Sequence, residues 1–274
     1  MENNDYRSIG VLDSGIGGLS VLKELQKKLP FENTIYVADL KRFPYGNKSK
    51  EEIIKYSKEI CNFLLKNNVK AIVIACHTIS SIALNELKKN IDIPIFSMLN
   101  PSIEKLKRYP NKKFLMIGTE NTINNSSYIS DIKKEIENLK IIPLAMQKLV
   151  GYIENREKKE IISDYLNKTF ESYSDIDGVF LACTHFPLIK NLIKKAFIKK
   201  IAILDPSFIL SKDLKRYLKK NNLLNLKNKT PNHLFYITQK NNNFIRIAQN
   251  YLNPMRKPLE DNYDISKKLK VFYI

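Results

Sequence analysis

At 274 residues the chain carries 46 Lys and Arg against 28 Asp and Glu, a formal net charge of +18, and 43% of its residues are hydrophobic. That suffices for a substantial core, as one large domain or two of about 100 to 150 residues, while no apolar stretch approaches the roughly 18 residues of a membrane helix. The opening MENNDYRS lacks the basic and apolar regions of a signal peptide, and Cys61, Cys76 and Cys183 form no disulfide framework, so a cytoplasmic protein with reduced thiols and no membrane partner is expected.

The first predicted strand, Ile9 to Leu12, runs into Asp13-Ser14-Gly15-Ile16-Gly17-Gly18 ahead of a helix from Leu19 to about Lys28. Glycines let the backbone bend tightly and helix N-terminal amides favour anions there. The spacing is neither the dinucleotide pattern nor the P-loop pattern; a plain strand-to-helix turn and a carboxylate cradle both fit it. A strand at Thr34 to Ala38 leads to Asp39, a loop with Phe43-Pro44-Tyr45-Gly46, and a helix from about Lys50 to Lys66 in which Ile53, Ile60, Cys61 and Leu64 share one face. Cys61 therefore reads as core filling.

Ala71 to Ala75 is the next strand, followed by a helix from about Ser80 to Lys89 and a strand at Ile93 to Ser97. Asn100-Pro101 fits an N-cap with Pro at the first helical position. Phe114 to Ile117 ends in Gly118-Thr119, with Thr122 shortly after and a helix through Ile136; Ile141 to Leu144 is another strand. A polar helix from about Asn155 to Ser172 precedes the strand Gly178 to Ala182, and Pro187 opens a helix to about Ile198. Ile201 to Leu204, a helix over Ser207 to Lys220, the linker LLNLKNKTPN, a strand His233 to Thr238 and a helix Asn243 to Leu252 complete the pattern. Nine short strands alternating with helices specify a parallel α/β protein.

Lys pairs recur at 27–28, 88–89, 133–134, 219–220 and 267–268, on successive helix faces. They read as a solvated basic surface rather than a nucleic-acid interface, and no nucleic-acid module is present; such a field can still draw in an anionic substrate.

Two stretches resemble each other. VKAIVIACHT, from Val69 to Thr78, and IDGVFLACTH, from Ile176 to His185, each set a polar start before a buried apolar run and end in Ala-Cys with one Thr and one His. Both thiols thus fall at strand C-termini, where open α/β sheets bind ligands. A lone Cys there is usually an inert core residue; a Thr and a His beside it in both copies point to chemistry. Two thiols on matching sites suit the movement of a proton on and off a carbon from opposite faces. The accepting thiol then needs a basic or hydrogen-bonding neighbour, for which Asp13, Glu154 and His185 are available. Zinc would need a paired short-spacing motif that is missing, and His77, following Cys76 on a strand, would point to the opposite face. A Cys-His nucleophile would leave the second Cys without a task.

The residues resemble the glutamate racemases of the aspartate/glutamate racemase superfamily. The resemblance rests on Ile9 to Leu19 (IGVLDSGIGGL), Pro44-Tyr45-Gly46, Ala75-Cys76 with Thr78, Gly118-Thr119 with Thr122 and Tyr128, and Cys183-Thr184-His185-Phe186-Pro187-Leu188; weaker matches at Leu204-Asp205-Pro206 and Phe235 to Thr238 carry it to about Leu252. His185 favours glutamate over aspartate racemases, which tend to have an acidic residue there.

The resemblance implies an α/β fold of two pseudo-symmetric domains, each a mainly parallel sheet flanked by helices, with the active site in the cleft between them: residues 1–98 plus 209–254 in the first, 99–208 in the second, and 255–274 an unassigned tail. It implies cofactor-independent, metal-free interconversion of L- and D-glutamate, supplying D-glutamate for peptidoglycan, by a homodimer. Cys76 would act on D-glutamate assisted by Asp13, and Cys183 on L-glutamate assisted by His185, with Glu154 matching a family acid. Ser14, the backbone at Tyr45-Gly46, Thr78, Thr119, Thr122 and Thr184 would hold the amino acid, and His77 takes a family Asn position, able to donate to a carboxylate. Ala145 to Glu154 lacks the Cys and prolines often found there in the family. The rival within the superfamily is a racemase of aspartate or another small amino acid.

Overall fold

The computed structural model describes residues 5–136, 138–227, 230–252 and 270–274, and structural statements below concern those residues. The strands are β1 (Ile9–Asp13), β2 (Thr34–Ala38), β3 (Ala71–Ile74), β4 (Ile95–Ser97), β5 (Lys113–Gly118), β6 (Lys140–Ala145), β7 (Gly178–Ala182), β8 (Ala202–Leu204), β9 (His233–Ile237) and β10 (Lys270–Tyr273). They form two sheets, ordered β10-β9-β2-β1-β3-β4 and β6-β5-β7-β8, with every pairing parallel. The α/β architecture expected from the alternation of strands and helices is the one observed.

Each sheet begins in its middle. From β1 the chain steps to β2 on one side and β3 on the other; from β5 it steps to β6 and then to β7 in the same manner. The reversal of direction opens a crevice at the strand C-termini. The β1 end carries Asp13, the β5 end carries Gly118-Thr119, and the strands across each reversal, β3 and β7, lead into the two cysteines.

The strands are buried along their whole length where they flank these crevices, which explains their uninterrupted apolar runs. Alternate residues sort to opposite faces: Val73 joins one core cluster and Ile72 and Ile74 another, while Val179 and Leu181 separate from Phe180 and Ala182. The cluster holding Val11 and Val73 of the first sheet also holds Leu115, Val179 and Leu181 of the second.

Several element boundaries differ from expectation. The helix placed at Ser80 to Lys89 starts at His77 and is interrupted at Ala83, giving His77–Ile82 and Leu84–Lys88; His77 is therefore the first residue of a helix, not part of a strand. The helix at Asn100-Pro101 is Leu99–Leu106, capped by Met98, so Pro101 sits within the first turn, where no amide needs an intrahelical partner. Asn125 splits the next helix into Glu120–Asn124 and Ser126–Lys134 by accepting from Tyr128 N with its side chain. The helix begun at Asn155 runs only over Lys159–Phe170, after a turn in which Arg156 has φ 55°, and the helix after Pro187 is a 3-10 turn, Phe186–Ile189, followed by Lys190–Lys195. The helix Gln147–Glu154 was not anticipated. Of the tail set apart as 255–274, residues 255–269 lie outside the described residues, as do residues 1–4 at the start and 253–254, whereas Lys270–Tyr273 forms β10 against β9. No helix among the described residues is long and apolar enough to cross a membrane.

Candidate active site

Cys76 lies two residues beyond β3 with extended backbone and caps the helix His77–Ile82; Cys183 directly follows β7. Both are 5% exposed or less and line one cavity. Around Cys183 the groups are ionisable. Its Sγ is 3.7 Å from His185 Nδ1, and His185 Nε2 is 2.6 Å from Glu154 Oε2. Burial works against a charged imidazole, yet the sulfur and the carboxylate beside it raise the His185 pKa well above its ordinary 6.5. An imidazolium with both nitrogens donating can bond the sulfur at one side and the carboxylate at the other.

Cys76 has a different setting. Burial, reinforced by the negative Asp13, pushes its thiol up to about 12, so it rests protonated. The hydroxyl of Ser14 stands 3.8 Å from its Sγ. Asp13, expected to assist Cys76, spends its oxygens on Gly15 N at 2.9 Å and on the Thr184 hydroxyl at 3.1 Å. Burial raises the Asp13 carboxyl to about 6, against the opposing pull of His185 and these two donors.

The seam between the sheets is hydrogen-bonded. Ser20 donates to Thr184 O at 2.9 Å, and Ile16 N to Glu154 Oε2 at 3.3 Å. The approach is close enough that a Cβ at Gly17 would fall 2.4 Å from Thr184 Oγ1, which only glycine avoids. On the other flank Thr78 Oγ1 is 2.8 Å from Thr119 Oγ1 and 3.3 Å from Thr122 Oγ1. Tyr45 turns its hydroxyl away to Asp39 Oδ2 at 2.5 Å, itself bound by Arg42 Nε at 2.6 Å, and Asn121 donates to Tyr45 O at 2.8 Å.

Of the thirteen residues expected from the sequence, Ser14, Tyr45, Gly46, Cys76, His77 and Thr78 line the cavity from the first sheet's side, and Thr119, Cys183, Thr184 and His185 from the second's. Asp13, Thr122 and Glu154 stand behind them, each bonded to a lining residue. His77 lines the cavity and is also tied to its surroundings: its Nδ1 is 2.9 Å from the Tyr128 hydroxyl, which is 3.2 Å from Ser102 Oγ, and burial lowers its pKa to about 3, keeping it neutral. Phe43, Pro44, Gln147 and Val150 also line the cavity and had not been assigned. For Gln147 and Val150 the available signal was their place beside Glu154 in the segment that departs from the family pattern. Cys61 is buried in the helix Lys50–Lys66, as expected of a core residue.

The family described as Asp/Glu/Hydantoin racemase matches residues 9–210. A glutamate racemase of Caldanaerobacter subterraneus subsp. tengcongensis is 38% identical over 250 residues, 89% of this chain and 92% of that one. Among solved structures, the RacE1 isoform of glutamate racemase from Bacillus anthracis has a TM-score of 0.86 at 29% identity, covering 99% of this chain and 98% of that one. The glutamate racemase of Francisella tularensis subsp. tularensis, solved with D-glutamate, has a TM-score of 0.83 at 31% identity, covering 98% and 97%. The match begins at β1 and runs beyond β8, through both strands that lead to a cysteine; the chain belongs to the Asp/Glu/hydantoin racemase family.

Proposed function

We propose that the chain interconverts L- and D-glutamate with two cysteines as the proton carriers and no cofactor. The observation that carries this reading is one cavity lined by two buried thiols at topologically matching strand ends, one beside an imidazolium and the other resting protonated. The Cys183 sulfur takes the α-proton of L-glutamate, breaking the C–H bond and leaving the electron pair on the α-carbon, conjugated with the carboxylate. The Cys76 S–H then gives its proton to the opposite face, and D-glutamate forms. The pair ends with its protonation reversed, which is the state needed for the return reaction. His185, held by Glu154, supports the charge on Cys183, while Asp13 and Ser14 serve Cys76. Ser14, the Tyr45-Gly46 backbone, Thr78, Thr119, Thr122 and Thr184 hold the amino acid.

Glutamate is the substrate named for the relatives above, and D-glutamate is the ligand named for the Francisella structure. Supply of D-glutamate for peptidoglycan, a cytoplasmic location, a homodimer and the domain limits at residues 98 and 209 rest on the family resemblance. The test is circular dichroism of the purified protein with L- or D-glutamate in deuterated water without additives. Decay of both signals to zero with deuterium at the α-carbon is the expected result; aspartate decaying in place of glutamate, or no change with either, overturns the assignment.

A further inference from the structure

Gln147 opens the helix Gln147–Glu154 and lines the cavity, and its Oε1 is buried with no hydrogen-bond partner. Its amide lies over the backbone of Gly46: a Cβ there would fall 1.9 Å from Gln147 Oε1 and 2.9 Å from Thr119 Cβ. The missing side chain at position 46 is what gives this amide its place. A buried carbonyl left unpaired is costly, and side-chain amides turn readily about their last torsion, so the group is free to present either end to a ligand.

The charges around the cavity decide which part of an amino acid reaches it. Asp13 and Glu154 lie behind Thr184 and His185, so the ammonium group is drawn to that end. The wall made by Gly46, Thr119 and Gln147 carries neutral amide and hydroxyl groups and shares no hydrogen bond with either thiol. We propose that Gln147 is a substrate-binding residue, its amide turning to donate from Nε2 to the side-chain carboxylate of glutamate; this rests on the glutamate racemase reading. The contact lies in the segment that departs from the family pattern, and it gives the site a means of selecting substrate length at the end remote from the chemistry.

The experiment is steady-state racemisation of L- and D-glutamate by the wild-type protein and by Gln147→Ala and Gln147→Glu, with melting temperatures alongside. Loss of one hydrogen bond to a charged group predicts a KM about tenfold higher for both enantiomers in Gln147→Ala, with kcat changed less than about twofold. Gln147→Glu, which opposes two carboxylates, raises KM further. An unchanged KM in both variants overturns the inference while leaving the racemase intact, as does a fall in kcat at constant KM, the signature of a merely structural helix start. A wild-type protein that leaves glutamate unchanged overturns both readings together.

Discussion

The Nε2 of His185 is 2.6 Å from Glu154 Oε2, and the same carboxylate oxygen accepts from Ile16 N at 3.3 Å. One carboxylate thus holds the imidazole beside Cys183 and ties it to the glycine-rich loop after β1. Replacing it by an amide keeps the shape and removes the charge that stabilises the imidazolium. Glu154→Gln is expected to lower kcat/KM for L-glutamate about 100-fold, measured by loss of ellipticity.

The two thiols should respond alike in racemisation and differently in exchange. Cys76→Ser and Cys183→Ser each remove one proton carrier and should reduce interconversion by at least about 1,000-fold. In deuterated water Cys76→Ser should still exchange the α-proton of L-glutamate without inverting it, because Cys183, the base that acts on that enantiomer, is untouched, whereas Cys183→Ser should not; proton NMR reads this directly. Full racemisation in either variant would falsify the two-thiol mechanism.

Asp13 links activity and stability to pH with opposite signs. Its carboxyl titrates near 6 in the fold against 3.8 ordinarily. Between these values the folded state holds more protons than the unfolded one, so this group lowers stability as pH rises from about 4 to about 6. The difference of about 2 units corresponds to about 3 kcal/mol. Asp13→Asn should therefore gain stability relative to the wild type at pH 8 and not at pH 4, in urea titrations. Its racemase activity should fall, and the acid limb of the wild-type kcat/KM profile, centred near pH 6, should disappear.

His77 is neutral across the working range, and its bond to Tyr128 makes it a link between the start of the Cys76 helix and Ser126–Lys134. His77→Asn should keep turnover within about threefold, while costing about 1 kcal/mol through the lost bond to the Tyr128 hydroxyl. Melting temperature and kcat measured together check this; a collapse of turnover would make His77 essential.

How much of this was legible in the sequence depended on the range of the forces involved. β3 and β7 were plain because strands buried on both faces must be apolar throughout, and the two Ala-Cys ends marked matching places. The capping box of Ser49 and Glu52, with Glu52 N to Ser49 Oγ at 3.2 Å and Ser49 N to Glu52 Oε2 at 2.9 Å, shows how local chemistry sets the start of the helix Lys50–Lys66. What escaped was set by distant partners. The helix Gln147–Glu154 contains Gly151 and no acidic residue in its first turn, so its local signals are weak; it forms because Leu149, Val150 and Ile153 join the shared core and Glu154 meets His185. The bond from His77 to Tyr128 was not foreseen because that partner lies 51 positions away. β10 was left unassigned because its parallel register with β9 is not a local property.

The core cluster that contains both Val11 and Val179 also takes in Leu22 of the helix Leu19–Lys28 and Leu214 of the helix Ser207–Lys220. Strand order makes the two halves look like copies of one unit, and each keeps one core cluster of its own, around Ile72 and Ile74 in the first and Phe180 and Ala182 in the second, while sharing the third. Separated, each would present to water the apolar face it now shares. A recombination joining one half to an unrelated protein would therefore have to bring along a substitute for the face left bare.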